Sequence, residues 1–358
     1  MRILHLVLAP RLSGAEVLAR DLAVAQQEEG DVVAVASLLP AHSDFAALRA
    51  DLERAGVSCD FPERRMRAPG RLWHLLDVLR RFRPDVVFAH ATIPAFYARA
   101  LPWPAPVVYV MHSAVNDFER PLFRIAERLL SRRASAVVAV AQSNVSDYRA
   151  AVGSHPGLRL IPNGVDMRRF AAPAAPDAEA ATVANGPLVV QLGRYTAVKN
   201  QLHTVRAFAE MLRVVPAARL ALYGVIEDPS YHAAVQALVG ELGLGEQVSV
   251  NGPRGDIPQL LAQASVFVMP SASEAHSIAF LEALATGVPV VASAIPAFRF
   301  ADGFKSVQLL DTGDIGAYAG AMVLAAAQPR ARRVLEGLTL EDTVRGYREV
   351  ARVVMGVG

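Results

Sequence analysis

The amino-acid sequence predicts an α/β protein built from two consecutive units, each a parallel sheet with helices on both faces. Three observations predict it. The chain has 358 residues, more than one ordinary core holds, so two domains are expected. Short β-rich runs alternate with amphipathic helical patterns through both halves, as strands joined by helical crossovers do. Between the halves, residues 171–187 read AAPAAPDAEAATVANGP, small and polar without periodicity, and the alternation starts afresh beyond them.

In chain order the first half offers strands at Arg2–Val7, Val32–Ser37, Asp85–Ala89, Val107–Met111 and Ala136–Val140, with helical patterns such as Glu16–Gln27 and Arg71–Arg81 in the gaps. The second half offers strands at Leu188–Leu192, Arg219–Tyr223, Val248–Val250, Val266–Met269 and Pro289–Ala292. Its helices are Asn200–Val214, Ser230–Leu242, Ile257–Ala262 and Ser277–Ala285. Residues Glu341–Met355 form one more amphipathic helix. The expected division is a first domain over 1–170, a linker over 171–187, a second domain over 188–338 and a terminal helix within 339–358.

Composition narrows the function. The chain is 53% hydrophobic and 20% charged, hence globular. A net charge of only +2 argues against a nucleic-acid binder that relies on counterion release. One cysteine, Cys59, excludes a disulfide framework or a Cys-based metal site. The start, MRILHLVLAP, has too short an apolar run for a signal peptide and lacks a small-residue cleavage pattern. No stretch of ~18 apolar residues occurs. A reducing, cytoplasmic location is expected, with a peripheral place on the inner face of a membrane left open.

Ligands of parallel α/β sheets sit at the carboxyl ends of the strands, and two such edges can face a shared cleft. The loops after strands are therefore where chemistry is expected. After the first strand, Ser13-Gly14-Ala15-Glu16 opens a helix; Gly14 lets backbone approach a ligand, or is only a turn residue. After Leu188–Leu192 come Arg194 and, at the next helix start, Lys199. Of 36 basic residues only Lys199 and Lys305 are lysines, so a lysine in this loop points to an anion site rather than to two solvated cations. After Val266–Met269, Glu274 lies in a loop and Ser277 is placed to cap the following helix. The amides around His276, Ser277 and Ile278 then point outward unpaired. Glu282 falls about one and a half turns into that helix. Two carboxylates with amides between them suit a ribose, a diphosphate and a sugar; a capped helix with one surface glutamate is the plainer alternative. His90 and His112 each follow a strand of the first half, in VVFAH and VVYVMH. No D-x-D in a strand-end loop, H-E-x-x-H, G-x-S-x-G or full G-x-G-x-x-G occurs, so Arg194 and Lys199 would carry the positive charge in place of a metal.

Together these residues resemble the large retaining glycosyltransferase family with a GT-B fold, family 4 (glycosyl transferases group 1). The resemblance runs through SGAE, PDVVFAH, VVYVMHS, IPNGVD at 161–166, LGRYTAVKN, the pair Glu274/Glu282 and LATGVPVVAS at 284–293. It implies two Rossmann-like domains and transfer of a hexose or N-acetylhexosamine from a nucleotide diphosphate sugar, a UDP-sugar favoured, to a hydroxyl of a glycan or lipid-linked acceptor. By position, Arg194 and Lys199 would grip the diphosphate, Glu274 the donor sugar and Glu282 the ribose, with His276, Ser277 and Ile278 lending amides. Gly14 would lie under the phosphate and acceptor, and His112 would line the sugar site; Ser13 and His90 are acceptor-side candidates. Most members need no metal, so no cofactor is expected. The final helix usually crosses back to the first domain. The sequence departs from the family in two places. Ala275-His276-Ser277 replaces a Gly-aromatic-Gly/Pro run, and SGGAE is shortened to Ser13-Gly14-Ala15-Glu16.

Rival expectations are a nucleotide-sugar 2-epimerase of the same fold and a silent nucleotide-sugar-binding protein. A phosphorylase, which wants a cofactor lysine, is poorly served by two lysines. Alanine- and arginine-rich usage is associated with GC-rich bacterial genomes, where such enzymes often build lipopolysaccharide or capsule. Residues 64–83, RRMRAPGRLWHLLDVLRRFR, mix arginines with Trp73 and leucines, and residues 1–168 hold 21 basic against 17 acidic side chains. That segment is a candidate for an anionic membrane surface, or is a solvated helix with a buried apolar face.

Overall fold

A computed structural model describes residues 1–112, 117–170 and 186–357. Most of the expected linker, residues 171–185, lies outside the described residues. Two compact units emerge: residues 1–164 with 337–358, and residues 165–336.

In the first unit the strands are β1 (Arg2–Val7), β2 (Val32–Ser37), β3 (Ser58–Asp60), β4 (Val86–His90), β5 (Val107–Met111), β6 (Ala136–Ala139) and β7 (Leu158–Leu160). They pair in parallel in the order β3-β2-β1-β4-β5-β6-β7. The helices are α1 (Gly14–Glu28), α2 (Ala46–Arg54), α3 (Ala68–Phe82), α4 (Thr92–Ala100), α5 (Pro121–Leu130) and α6 (Gln142–Ala151). Central strands such as VVFAH and VVYVM are buried throughout, because crossover helices cover both faces of a parallel sheet.

The second unit begins with α7 (Met167–Phe170) and continues with β8 (Leu188–Leu192), α8 (Gln201–Leu212), β9 (Arg219–Tyr223), α9 (Pro229–Glu241), β10 (Val248–Asn251) and α10 (Ile257–Gln263). It ends with β11 (Val266–Met269), α11 (Ile278–Thr286), β12 (Val290–Ser293), β13 (Val307–Leu310) and α12 (Ile315–Ala326). Its parallel sheet runs β10-β9-β8-β11-β12-β13. Residues 165–170, read from the sequence as the end of the first domain, belong to this unit, with Phe170 buried in it.

Each sheet reverses direction of growth once, between β1 and β4 in the first unit and between β8 and β11 in the second. At such a point the two loops leaving the carboxyl ends diverge to opposite faces and leave a crevice. The sequence candidates fall there: Ser13 and Gly14 after β1, His90 at the end of β4, Arg194 and Lys199 after β8, Glu274 after β11.

The terminal helix α13 (Leu340–Met355) is part of the first unit. Thr339 and Asp342 close a capping box at its start. Arg348 reaches Asp31 at 2.8 Å and also pairs with Glu29, while Tyr347 packs its ring 5.2 Å from Phe88. Gly164 is required by this docking, since a Cβ there would come 2.0 Å from the Thr339 carbonyl oxygen.

Candidate active site

The loop after β8 is held by backbone and by two buried glutamines. Gly193 donates to the Tyr223 carbonyl at 2.9 Å, and Gly224 lies so close that a Cβ on it would meet the Gly193 oxygen at 1.9 Å. Gln191 donates to the Lys199 carbonyl at 2.7 Å; Gln201 donates to the Gly193 and Arg194 carbonyls at 3.2 and 3.0 Å. A side chain at 193 would crowd the Lys199 stem, 3.2 Å from its Cδ. Asn200 takes a left-handed conformation, φ 56°, and turns the chain into α8. The loop after β11 is tied to this one by the Ala272 amide, which donates to the Val198 carbonyl at 2.8 Å.

This scaffold brings Lys199 and Glu274 into a direct, half-buried ion pair. Arg194 is more exposed and pairs with Glu227, a residue that nothing in the sequence singles out. Neither cation is thus an isolated positive charge: each has a carboxylate at hand, and an incoming anion has to share or displace it. Ser277 caps α11, its hydroxyl accepting from the Phe280 amide at 3.4 Å, so the Ile278 and Ala279 amides are left to the space beyond the helix start. His276 stacks on Phe300 with ring centroids 5.5 Å apart, and burial lowers its pKa to about 4, so it is neutral at physiological pH. Glu282 is buried on α11 one and a half turns in, as the spacing requires.

In the first unit Ser13 is the residue before α1, its hydroxyl bonded to the Glu16 carboxylate, and Gly14 is exposed as the first helical residue. The histidines hold a surprise. His90 is buried and both its ring nitrogens are taken: Nε2 lies 2.9 Å from His5 Nδ1, and Nδ1 lies 2.8 Å from His112 Nε2. His5 Nε2 in turn lies 2.8 Å from the Gln26 carboxamide oxygen. His90 is therefore corrected from an acceptor-side candidate to a buried link between His5 and His112. Burial lowers His5 and His112 to about 4, and burial with the neighbouring rings puts His90 well below its ordinary value.

Three neutral rings carry three N–H groups for three bonds. Starting from the Gln26 oxygen as acceptor, His5 Nε2–H donates to it, His90 Nε2–H donates to His5 Nδ1, and His112 Nε2–H donates to His90 Nδ1. His112 Nδ1 is then left as an acceptor. Sequence reading missed His5 and Gln26. The usable signal was a lone polar residue inside the apolar run RILHLV, which a sheet buried on both faces tolerates only when it is paired.

Beyond β4 the backbone is strained. Ala91 has φ 78° and ψ 169°, a region that suits glycine, and its amide donates to the Val110 carbonyl at 2.9 Å. Among the described residues no group of three or more His, Cys, Asp or Glu side chains is placed to hold a metal ion.

Two family profiles account for most of the chain. The one described as Glycosyltransferase Family 4 matches residues 12–169, and the one described as Glycosyl transferases group 1 matches residues 186–328. The chain belongs to glycosyltransferase family 4. The transferase is 33% identical over 226 residues to a GDP-mannose-dependent alpha-(1-6)-phosphatidylinositol monomannoside mannosyltransferase of Mycolicibacterium smegmatis. That match spans 59% of the transferase and 58% of the relative. A GDP-mannose-dependent monoacylated alpha-(1-6)-phosphatidylinositol monomannoside mannosyltransferase of Corynebacterium glutamicum is 24% identical over 79% of the transferase and 77% of its own length. Among solved structures, Anabaena HepE in complex with UDP and glucose aligns with a TM-score of 0.80 at 20% identity, covering 99% of this chain and 100% of that one. WaaG, a glycosyltransferase involved in lipopolysaccharide biosynthesis, aligns with a TM-score of 0.70 at 16% identity over 99% and 100%. The fold of the transferase is GT-B, with two Rossmann-like domains.

Proposed function

We propose that this glycosyltransferase moves a hexose from a nucleoside diphosphate sugar to a hydroxyl of a glycan or lipid-linked acceptor with retention of anomeric configuration. The observation that carries the reading is the second unit's switch point, where Lys199, Glu274 and the open end of α11 converge. The C1–O bond to the β-phosphate breaks, and charge grows on the phosphate. Lys199, Arg194 and the Ile278 and Ala279 amides stabilise that charge more as it grows, which lowers the barrier. The acceptor oxygen attacks C1 from the same face, and its proton passes to a phosphate oxygen. Glu274 holds donor-sugar hydroxyls and, by its pair with Lys199, sets the ammonium in place; Glu282 takes the ribose. We assign Ser13, Gly14 and His112 to the sugar and acceptor side.

For the donor, the relatives named as GDP-mannose-dependent make GDP-mannose the first candidate, ahead of the UDP-sugar expected from the sequence. Their lipid acceptors support a glycolipid or surface-glycan acceptor in the same way. No divalent ion is assigned to the diphosphate.

Thermal unfolding with GDP-mannose, UDP-glucose and UDP-N-acetylglucosamine tests the donor, because a ligand of the native state raises Tm by mass action. Turnover of the stabilising donor should persist in EDTA. Lys199→Ala should lower kcat/KM by ~10² or more. A wild-type rate in that variant, or stabilisation by no nucleotide sugar, overturns the assignment.

A further inference from the structure

The two ion pairs of the second unit's site are held differently. Lys199 and Glu274 keep only 14% and 10% of their side chains exposed, whereas Arg194 and Glu227 keep 41% and 35%. Under the more open pair the backbone is fixed. Gly193 donates to the Tyr223 carbonyl at 2.9 Å, Tyr195 to the Val225 carbonyl at 2.9 Å and Asp228 to the Tyr195 carbonyl at 3.1 Å. The loops after β8 and β9 are thus stitched together on either side of Arg194 and Glu227. Asp228, the next carboxylate in the chain, is committed to α9: it accepts from the Ser230 and Tyr231 amides at 2.9 and 3.1 Å and from the Ser230 hydroxyl at 2.6 Å. A rigid backbone therefore sets one long cationic and one acidic side chain against each other, both reached by water, on the sheet edge assigned to the diphosphate.

We propose that Glu227 is an exchangeable stand-in for the donor's phosphate. Arg194 leaves it for the diphosphate when the nucleotide sugar binds, and returns to it when the nucleoside diphosphate departs. A carboxylate and a phosphate offer a guanidinium the same paired oxygens. An ion pair open to water contributes little to stability, so little is lost when a more highly charged anion takes the carboxylate's place. The exchange matters most after transfer. The departing diphosphate carries more charge than it did in the donor, and Lys199, Arg194 and the α11 amides hold it more strongly for that reason. A carboxylate beside Arg194 competes for that cation and favours release, a step that limits turnover in many enzymes. The shielded pair is unsuited to this part, because Glu274 is assigned to the donor sugar. Glu227 touches no reacting atom; it is a positioning residue that sets how tightly the site keeps its product. The proposal rests on the reading of this edge as a nucleotide-sugar site and adds to it the control of release.

Calorimetric titration of the full chain with GDP and with UDP tests it. Glu227→Gln should bind whichever diphosphate the wild type binds about two- to fivefold more tightly, the range an exposed ion pair covers. In turnover, the KM for the donor should fall with the Kd of the product, while kcat does not rise. Asp228→Asn removes the neighbouring negative charge and keeps a capping side chain, so it should change the affinity by less than about twofold. In an Arg194→Gln background, Glu227→Gln should add nothing. An affinity unchanged or weakened in Glu227→Gln, or a kcat that rises, overturns the proposal. So does an equal gain in Asp228→Asn, or a gain that persists without Arg194. Each of these results leaves the donor reading standing, because the wild type still binds its diphosphate. A wild type that binds neither GDP nor UDP is the separate result that removes the donor reading, and the proposal with it.

Discussion

At the scale of single residues, the polarity of the histidine chain decides what His112 offers. Its Nδ1 is an acceptor only because Gln26, two rings away, presents an oxygen to His5. Turning that carboxamide over would reverse every bond and leave His112 with an Nδ1–H. Nitrogen-15 NMR distinguishes the tautomers, and His112 should show a protonated Nε2 and a bare Nδ1. Gln26→Leu removes the terminal acceptor and should leave His112 as a mixture of both tautomers; Gln26→Glu should keep the wild-type tautomer. A wild-type His112 already protonated on Nδ1 means that the chain runs the other way. Ala91 adds to the same point of the fold: its strained backbone, costing of order 1–3 kcal/mol, fixes the turn that follows His90.

At the scale of elements, the junction between α13 and the segment Pro162–Gly164 is closed by contact distance rather than by sequence preference. Gly164→Ala puts a methyl carbon against the Thr339 carbonyl, and Thr343 cannot retreat because its hydroxyl donates to the Pro162 carbonyl at 3.1 Å. The variant should lose ~1–3 kcal/mol or more of stability. Trp73 and Trp103 are the two tryptophans of the chain and both lie in the first unit, so a fall in the urea midpoint by tryptophan fluorescence reports this loss. An unchanged midpoint means the helix shifts freely. What the sequence made legible at this scale was the central strands: β1, β2, β5, β8, β9 and β11 have the bounds that alternation predicts, because a strand buried on both faces reads as a continuous apolar run. The edge strands β3, β7 and β13 were missed. Two of them are three residues long and part-exposed, too short for any period to register. Helix α5 falls in one of the gaps that the alternation fills with helical pattern, without bounds of its own in the sequence reading. Of the site, the loops carrying Lys199, Glu274 and Ser277 were readable because their residue types are rare or cap-forming. The glutamines 191 and 201 and the partner Glu227 were not, since what marks them is proximity in space, set by the order of strands in the sheet.

At the scale of the whole molecule, the buried rings make stability depend on pH with a defined sign. His5 and His112 stay neutral in the folded first unit down to about 4, and burial with the neighbouring rings holds His90 well below its ordinary value, whereas in the unfolded chain each takes a proton near its ordinary pKa of about 6.5. As pH falls through that window the unfolded state binds more protons, so folding stability drops, by up to about 1.4 kcal/mol per pH unit for each histidine that remains neutral. Above the window nothing is lost. Asp342, lowered by the Thr339 hydroxyl and then by Arg345, acts only below the ordinary carboxylate range, so it does not contribute between pH 6.5 and 5. Tryptophan fluorescence again isolates the first unit, keeping the second unit's own histidines lowered by burial, His203 and His276, out of the signal. The urea midpoint should be level between pH 8 and 7 and fall steadily from about 6.5 to 5, where about 1.5 pH units of the window have been crossed. A midpoint that holds constant down to pH 5 would mean that the rings are protonated in the folded state, and the neutral chain ending at the His112 acceptor would have to be abandoned with it.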